Sequence, residues 1–325
     1  MNANRIGRTD VMVTSLGFGA APIGNLFKSV SDDEAAGAVA TAWESGVRYF
    51  DTAPHYGLGL SEVRLGRALA DKDRSEFVIS TKVGRLLTPN PSPTGSDLER
   101  GGFAVHDDLV RTLDYSGDGV KRSIEESLSR LDMDYIDIVY VHDPDDHVEQ
   151  VIAETFPALL ALREQGVVKA VGAGMNFWAP LLRFVERCDI DLVMEAGRWT
   201  LLDRSAQPLL DACLERHVAV VAAAPFNSGV LAHARPRPDD HFDYQTISPE
   251  LFLKATALAD LCARFDVELP IAAMQFPLRH ESVVTVVAGI RNESQARTST
   301  AWMQTGIPEA LWEQLDNFGE IAKGE

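Results

Sequence analysis

Four polar side chains stand at the ends of three consecutive apolar runs, where packing alone gives them little to do. Asp51 closes the run Tyr49-Phe50-Asp51, and Tyr56 follows it five residues later. Lys82 closes Ile79-Ser80-Thr81-Lys82, and His142 closes Ile138-Val139-Tyr140-Val141-His142. Singly, each has a plain reading: Asp51 as a turn cap, Tyr56 as a rim aromatic, Lys82 as a snorkelling surface lysine, His142 as a strand-end histidine with its bonds met. Jointly, an acid, a phenol, a lysine and an imidazole at neighbouring strand ends form a set that moves protons. That chemistry requires a fold that gathers strand ends at one mouth.

The chain supplies such a scheme from Ser15 onward, where a short apolar run, a turn and a segment with helical spacing repeat. The runs are 15–19, 48–51, 77–81, 136–141, 170–173, 192–195, 219–224 and 282–288, eight candidate strands in all. Ser31 with Glu34 reads as a capping box at the start of the first helix, and further helices are expected from Ser61 and over 118–131. A doubly wound sheet would place a G-x-G-x-x-G turn after its first strand. Gly17, Gly19 and Gly24 have a different spacing, and no acidic ribose partner follows. The expectation is therefore one α/β domain over 1–325, a (β/α)8 TIM barrel with an N-terminal β-hairpin over 6–13 and long loops on the C-terminal face. Two stretches interrupt the rhythm, 85–117 and 235–249, both rich in polar and turn-forming residues. They read as structureless insertions over the mouth, candidate substrate lids or else plain surface loops.

Thirty basic residues against 48 acidic ones give a formal charge of -18, a field that repels nucleic acid and anionic membranes. An anionic cofactor would have to be held by local groups. The three cysteines, Cys188, Cys213 and Cys262, show no C-x-x-C spacing and read as reduced thiols. No apolar run approaches a membrane span, and the polar start Met1 to Val13 lacks the apolar stretch of a secretory signal, so a cytoplasmic setting is expected.

The residues Phe50-Asp51-Thr52-Ala53, Tyr56-Gly57, Ser61-Glu62-Val63-Arg64-Leu65-Gly66, Thr81-Lys82 and Val141-His142 resemble, in order and spacing, the motifs of the aldo-keto reductases. The resemblance extends from Gly17-Phe18-Gly19 to Ala288-Gly289. It implies a catalytic tetrad of Tyr56, Lys82, Asp51 and His142. Lys82 would lower the phenol pKa of Tyr56, Asp51 would hold Lys82 charged, and His142 would donate a hydrogen bond to the substrate oxygen. No metal is implied.

Cofactor contacts are likewise carried over. Pro225-Phe226-Asn227-Ser228-Gly229-Val230-Leu231 is similar to the family's pyrophosphate loop after strand seven, with Asn227, Ser228 and Gly229 at its centre. Gly289, Arg291 and Gln295 fall in the adenosine-side segment, and Gly19 and Asp51 at the mouth. A lysine near Gly289 and an arginine near Gln295, which hold a 2′-phosphate in many relatives, are missing, so NAD is favoured over NADP; Arg291 keeps NADP open. Around the nicotinamide, Gly174-Met175, Ala196 and Ala223 replace the family's Ser-Asn pair, glutamine and stacking aromatic. Asn176 is the candidate for the carboxamide, and Trp199 or Phe226 for the aromatic surface.

The stretches 51–62 and 197–202 look like the branch with the L-fucose, D-threo-aldose and L-galactose 1-dehydrogenases, which oxidise a free sugar to its lactone. Pyridoxal 4-dehydrogenase, which oxidises a hemiacetal in the same way, is the alternative. A general NADPH-dependent aldehyde reductase and a non-catalytic cofactor-sensing subunit are the others. A small lactol or carbonyl compound is thus the expected partner, met by His55, Tyr56, His142, Trp178 and Trp199. Core and surface roles fit His55 and the two tryptophans equally well.

Overall fold

The computed structural model describes residues 1–243 and 245–318; Tyr244 and the end of the expected domain, 319–325, lie outside the described residues. The chain opens with an antiparallel pair, β1 (Ala3–Arg5) and β2 (Met12–Thr14). Three barrel strands follow, β3 (Leu16–Gly19), β4 (Tyr49–Asp51) and β5 (Val78–Val83). A second antiparallel pair, β6 (Arg85–Pro89) and β7 (Leu109–Leu113), then interrupts the alternation. The barrel resumes with β8 (Ile136–His142), β9 (Val168–Met175), β10 (Leu192–Ala196) and β11 (Ala219–Ala223). A short pair, β12 (His241–Phe242) and β13 (Gln245–Thr246), precedes the last barrel strand, β14 (Val283–Gly289).

The eight barrel strands pair in parallel in the order β3, β4, β5, β8, β9, β10, β11, β14, and β14 closes onto β3. Helices between them form the outer ring, which buries the outward face of every strand. The first helix, Asp32–Glu44, has its capping box in place: Ser31 Oγ accepts from Glu34 N, and Glu34 reaches back to Ser31 N.

Side chains alternate along each strand, which produces two cores. Phe50, Ile79, Val139 and Val193 pack outward against the helices. Tyr49, Ile138, Tyr140, Leu192 and Val221 fill the barrel itself. The expected hairpin is present with its first arm before the expected span: residues 6–11 form its turn, and Ile6, Val11 and Val13 join the barrel's inner core. It thus plugs the N-terminal end, where Asn4 Nδ2 donates to Val284 O at 2.7 Å.

Neither long loop is structureless. The first is built on β6 and β7 with a helical turn, Leu98–Gly101, at its tip. The second carries β12 and β13 and is tied down by Arg198, which pairs with Asp243 at 2.8 Å. No described helix is long and apolar enough to cross a membrane, and the described residues contain no group of three or more metal-ligating side chains.

Candidate active site

Asp51 and His142 end their strands and Lys82 stands one residue before the end of its own, all on the inward face and all buried. Lys82 Nζ donates to Asp51 Oδ1 at 2.9 Å, to Asp51 Oδ2 at 2.7 Å and to the Thr52 carbonyl at 3.0 Å. It lies 4.7 Å from the centre of the Tyr56 ring, and the His142 ring is 5.9 Å from that of Tyr56. All four residues implied by the resemblance therefore meet at one point.

That point is one wall of a cavity of about 750 Å³ at the C-terminal end of the barrel, which Gly19, His55, Asn176 and Gly289 also line. Its size is that of small-molecule sites. A larger depression, about 1230 Å³, lies at the opposite end around the N-terminal hairpin. Its most buried charges are paired: Asp137 binds Arg74 and Lys169, and Asp191 binds Arg163. Barrel enzymes work at the other end, and no proton-transfer set faces this depression.

Electrostatics at the mouth follow from burial. Burial pushes the Tyr56 phenol above its ordinary value; Lys82 pulls it down, Asp51 pushes it up again, and the net direction is upward. Lys82 therefore acts on Tyr56 in the expected sense but does not outweigh burial. For Lys82 burial works against the charge, yet Asp51 and Tyr56 together hold its pKa above the usual lysine value. Burial, followed by Lys82 and Arg85, drives His142 far below the ordinary histidine range. His55 falls to about 3, by burial and then by Arg111. Both imidazoles are neutral at physiological pH, so each carries one N–H and one acceptor nitrogen.

Several neighbours gave no signal in the sequence. Asp143, at φ 41°, lines the cavity with its carboxylate 3.5 Å from His142 Nε2 and accepts from Arg85 Nη2 at 3.0 Å. Tyr115 Oη fixes that turn by donating to the carbonyls of His142 and Asp143. Met194 lines the cavity because it sits two residues before Ala196 on the same strand face. The tip of the first insertion forms the outer wall: Phe103 packs against His55 and Tyr56 with ring centres 5.4 and 6.1 Å away. Phe27 N donates to Gly102 O at 2.8 Å, which docks the insertion on the loop after β3. Arg111 binds both oxygens of Asp97 at 2.7 Å and the His55 carbonyl at 2.9 Å. The second insertion contributes no described residue to the cavity wall.

The other expected contacts divide. Gly174, Met175, Asn176, Ala196 and Ala223 line the cavity. Trp178 and Trp199 do not: Trp178 packs on the outer core, and Trp199 is buried with its ring 5.6 Å from that of Phe276. Phe226 stacks edge-on against Trp302 instead of facing the mouth. Leu231 is fully buried in the outer core, and Pro225 is buried beside Ala224.

The remaining residues offer what a dinucleotide needs. Gly19 and Gly289 are register partners on β3 and β14, so bare backbone forms that part of the wall. Beyond Ala224 the chain passes through Asn227, Ser228 and Gly229 at φ of 45°, 58° and 113°. The N–H groups of Asn227 and Gly229 close this turn on the carbonyls of Ala224 and Phe226. Asn227 Nδ2 donates to Gly197 O at 2.9 Å, while its buried Oδ1 has no partner. Arg291 is committed elsewhere: its guanidinium donates to the carbonyls of Leu26 and Lys28, and Gln295 Oε1 caps its backbone N–H. Glu293 binds Arg297.

Residues 15–320 match the model of the family described as Aldo/keto reductase family. The chain is 46% identical over 307 residues to a D-threo-aldose 1-dehydrogenase of Pseudomonas sp, covering 93% of each protein. It is 40% identical to a pyridoxal 4-dehydrogenase of Microbacterium luteolum, covering 98% of this chain and 97% of the relative. Among solved structures, an aldo-keto reductase of Bacillus halodurans superposes with a TM-score of 0.80 at 25% identity, over 98% of this chain and 96% of the other.

Proposed function

Since the chain belongs to the aldo/keto reductase family and is an NAD(P)-dependent oxidoreductase, we propose that it oxidises a free aldose at the anomeric carbon to the lactone. The observation that carries the reaction type is Lys82 held by Asp51 beside the Tyr56 ring at the cavity wall. The substrate class rests on the nearly full-length likeness to a D-threo-aldose 1-dehydrogenase.

When bound, the nicotinamide supplies the acceptor for the hydride. Gly19, Asn176, Asn227, Ser228, Gly229 and Gly289 are the residues that would hold the cofactor. NAD is the preferred form, because the Arg291 guanidinium is already bonded to two carbonyls and no lysine neighbours Gly289. In the proposed reaction, the phenolate of Tyr56 takes the proton of the anomeric hydroxyl while the C1–H electron pair leaves as hydride, and the carbon–oxygen double bond of the lactone forms. Lys82 stabilises the phenolate, and Asp51 keeps Lys82 charged. Neutral His142 donates its N–H to the same oxygen and fixes its approach. The ionic groups at the outer wall, Asp143, Glu99 and Arg100, suit a ring bearing hydroxyls. The unpaired cysteines fit a reducing, cytoplasmic setting.

The likeness to pyridoxal 4-dehydrogenase favours one second reading, oxidation of pyridoxal in its cyclic hemiacetal form. Initial rates of NAD or NADP reduction with L-fucose, L-galactose, D-arabinose and pyridoxal separate the two. Rapid NAD reduction with a sugar is the expected result. Turnover of pyridoxal alone would replace the aldose reading. Silence on all four would overturn both, and reduction of simple aldehydes with NADPH would then point to a general reductase; inactivity there as well would leave cofactor sensing.

A further inference from the structure

Two residues before each of three catalytic strand ends stands a hydroxyl. Tyr49 precedes Asp51 on β4, Ser80 precedes Lys82 on β5, and Tyr140 precedes His142 on β8. Strand side chains repeat every second residue, so all three point into the barrel directly beneath the site. They are fully buried, and they touch in a line. Tyr140 Oη is 3.0 Å from Tyr49 Oη, Tyr49 Oη is 3.1 Å from Ser80 Oγ, and Ser80 Oγ is 2.7 Å from Asp51 Oδ1.

The end of the line dictates its direction. The Asp51 carboxylate, paired with Lys82, can only accept, so the single proton of Ser80 goes to it. Ser80 then has only lone pairs for Tyr49, which must donate; Tyr49 in turn has only lone pairs for Tyr140. Every hydroxyl proton therefore points toward Asp51.

We propose that Tyr140, Tyr49 and Ser80 form a one-way hydrogen-bond column that sets the proton affinity of Tyr56 from inside the barrel, acting through Asp51 and Lys82. They are positioning residues. Lys82 has three N–H groups, shared among Asp51 Oδ1, Asp51 Oδ2, the Thr52 carbonyl and the Tyr56 hydroxyl. The proton that Ser80 delivers to Oδ1 weakens the demand of Asp51 on Lys82 and leaves more of the ammonium charge for the phenol oxygen. Without it Lys82 turns back to Asp51, and the phenolate becomes harder to form. Hydrogen bonds in a buried chain polarise one another, so the effect falls off along the column from Ser80 to Tyr49 to Tyr140. The other groups around Tyr56 stay as they are: His142 at the end of β8 and Asp143 after it, His55 beside it, and Arg85 and Arg111 behind the two histidines. The inference rests on Tyr56 as the proton-exchanging group.

The test uses the full chain without cofactor or substrate. Ionisation of Tyr56 is read from the tyrosinate absorbance, as the difference between each background and the same background carrying Tyr56→Phe; the pH profile of kcat with the reacting substrate follows. In Ser80→Ala the midpoint should move to higher pH by about one unit, leaving about tenfold less phenolate at a given lower pH. Tyr49→Phe should move it less, Tyr140→Phe least, and KM should hold. An unmoved midpoint in both Ser80→Ala and Tyr49→Phe, a shift to lower pH, or equal shifts in all three would overturn the column. Should Ser80→Ala fail to fold, Tyr49→Phe, which keeps the ring and loses one oxygen, decides alone. Normal oxidation by Tyr56→Phe would sink the role of Tyr56; an unmoved midpoint sinks only the column.

Discussion

A buried ammonium persists only where its charge is matched, and Lys82, 2% exposed, is matched by both oxygens of Asp51. Removing either partner leaves the other as a lone buried charge, at a cost of about 3–5 kcal/mol. The phenol beside them works differently, because burial holds its pKa up and little phenolate exists at neutral pH. Lactol oxidation, which needs the phenolate, should therefore accelerate about tenfold per pH unit below the Tyr56 midpoint and level off above it. Reduction, which needs the protonated phenol, should be flat there and fall above the midpoint. Tyr56→Phe should abolish turnover yet keep cofactor affinity within a factor of a few, as checked by fluorescence titration; a variant that still oxidises at near-normal rate would remove Tyr56 from the reaction. Asp51, Lys82 and His142, with Tyr56 just beyond the first of them, were legible in the sequence because an ionisable residue closing an apolar run has no packing reason to be there. Met194, Phe103 and Asp143 were not, since their place at the cavity depends on strand face and on a docked insertion. Trp178 and Trp199 stayed open between the mouth and the core for the converse reason: an aromatic residue after a strand does not declare which way its ring points.

At the scale of elements, eight short apolar runs were enough to announce the barrel, and the strands lie within a few residues of those runs. The pair β6 and β7 escaped notice because most of its residues are partly buried or exposed, and Pro89 closes one strand. Nothing in such a stretch alternates cleanly between apolar and polar, so it reads as loop. Yet this pair carries the outer wall of the cavity, and one guanidinium fastens it. Arg111 joins Asp97, 1% exposed, to the carbonyl of His55. Arg111→Met should cost about 3–5 kcal/mol of stability in urea unfolding, because Asp97 is left buried and unpaired. It should also raise KM more than it lowers kcat, since the wall loosens while Lys82 and Asp51 stay in place. Lost stability with an unchanged KM would mean that the insertion does not shape the site.

For the whole molecule the formal charge of -18 opposes an anionic cofactor at a distance. Any attraction is then left to short-range groups at the site itself. Salt that screens beyond about 10 Å should therefore speed cofactor association, the reverse of the usual trend for steered ligands. Stopped-flow binding of NAD at rising ionic strength tests this; a falling on-rate would show that a local basic patch outweighs the global field. The polar residues gathered at the mouth and the global charge were both legible from residue types alone, and so was the hairpin that plugs the other end. That plug has a temporal consequence. Asn4 is bonded to Val284, and β3 must wait for β14 before the cylinder can close. During synthesis the first strand keeps one edge unpaired until nearly the whole polypeptide has emerged. Refolding is then governed by contacts between opposite ends of the chain, which makes it slow and leaves the early strands open to aggregation while they wait.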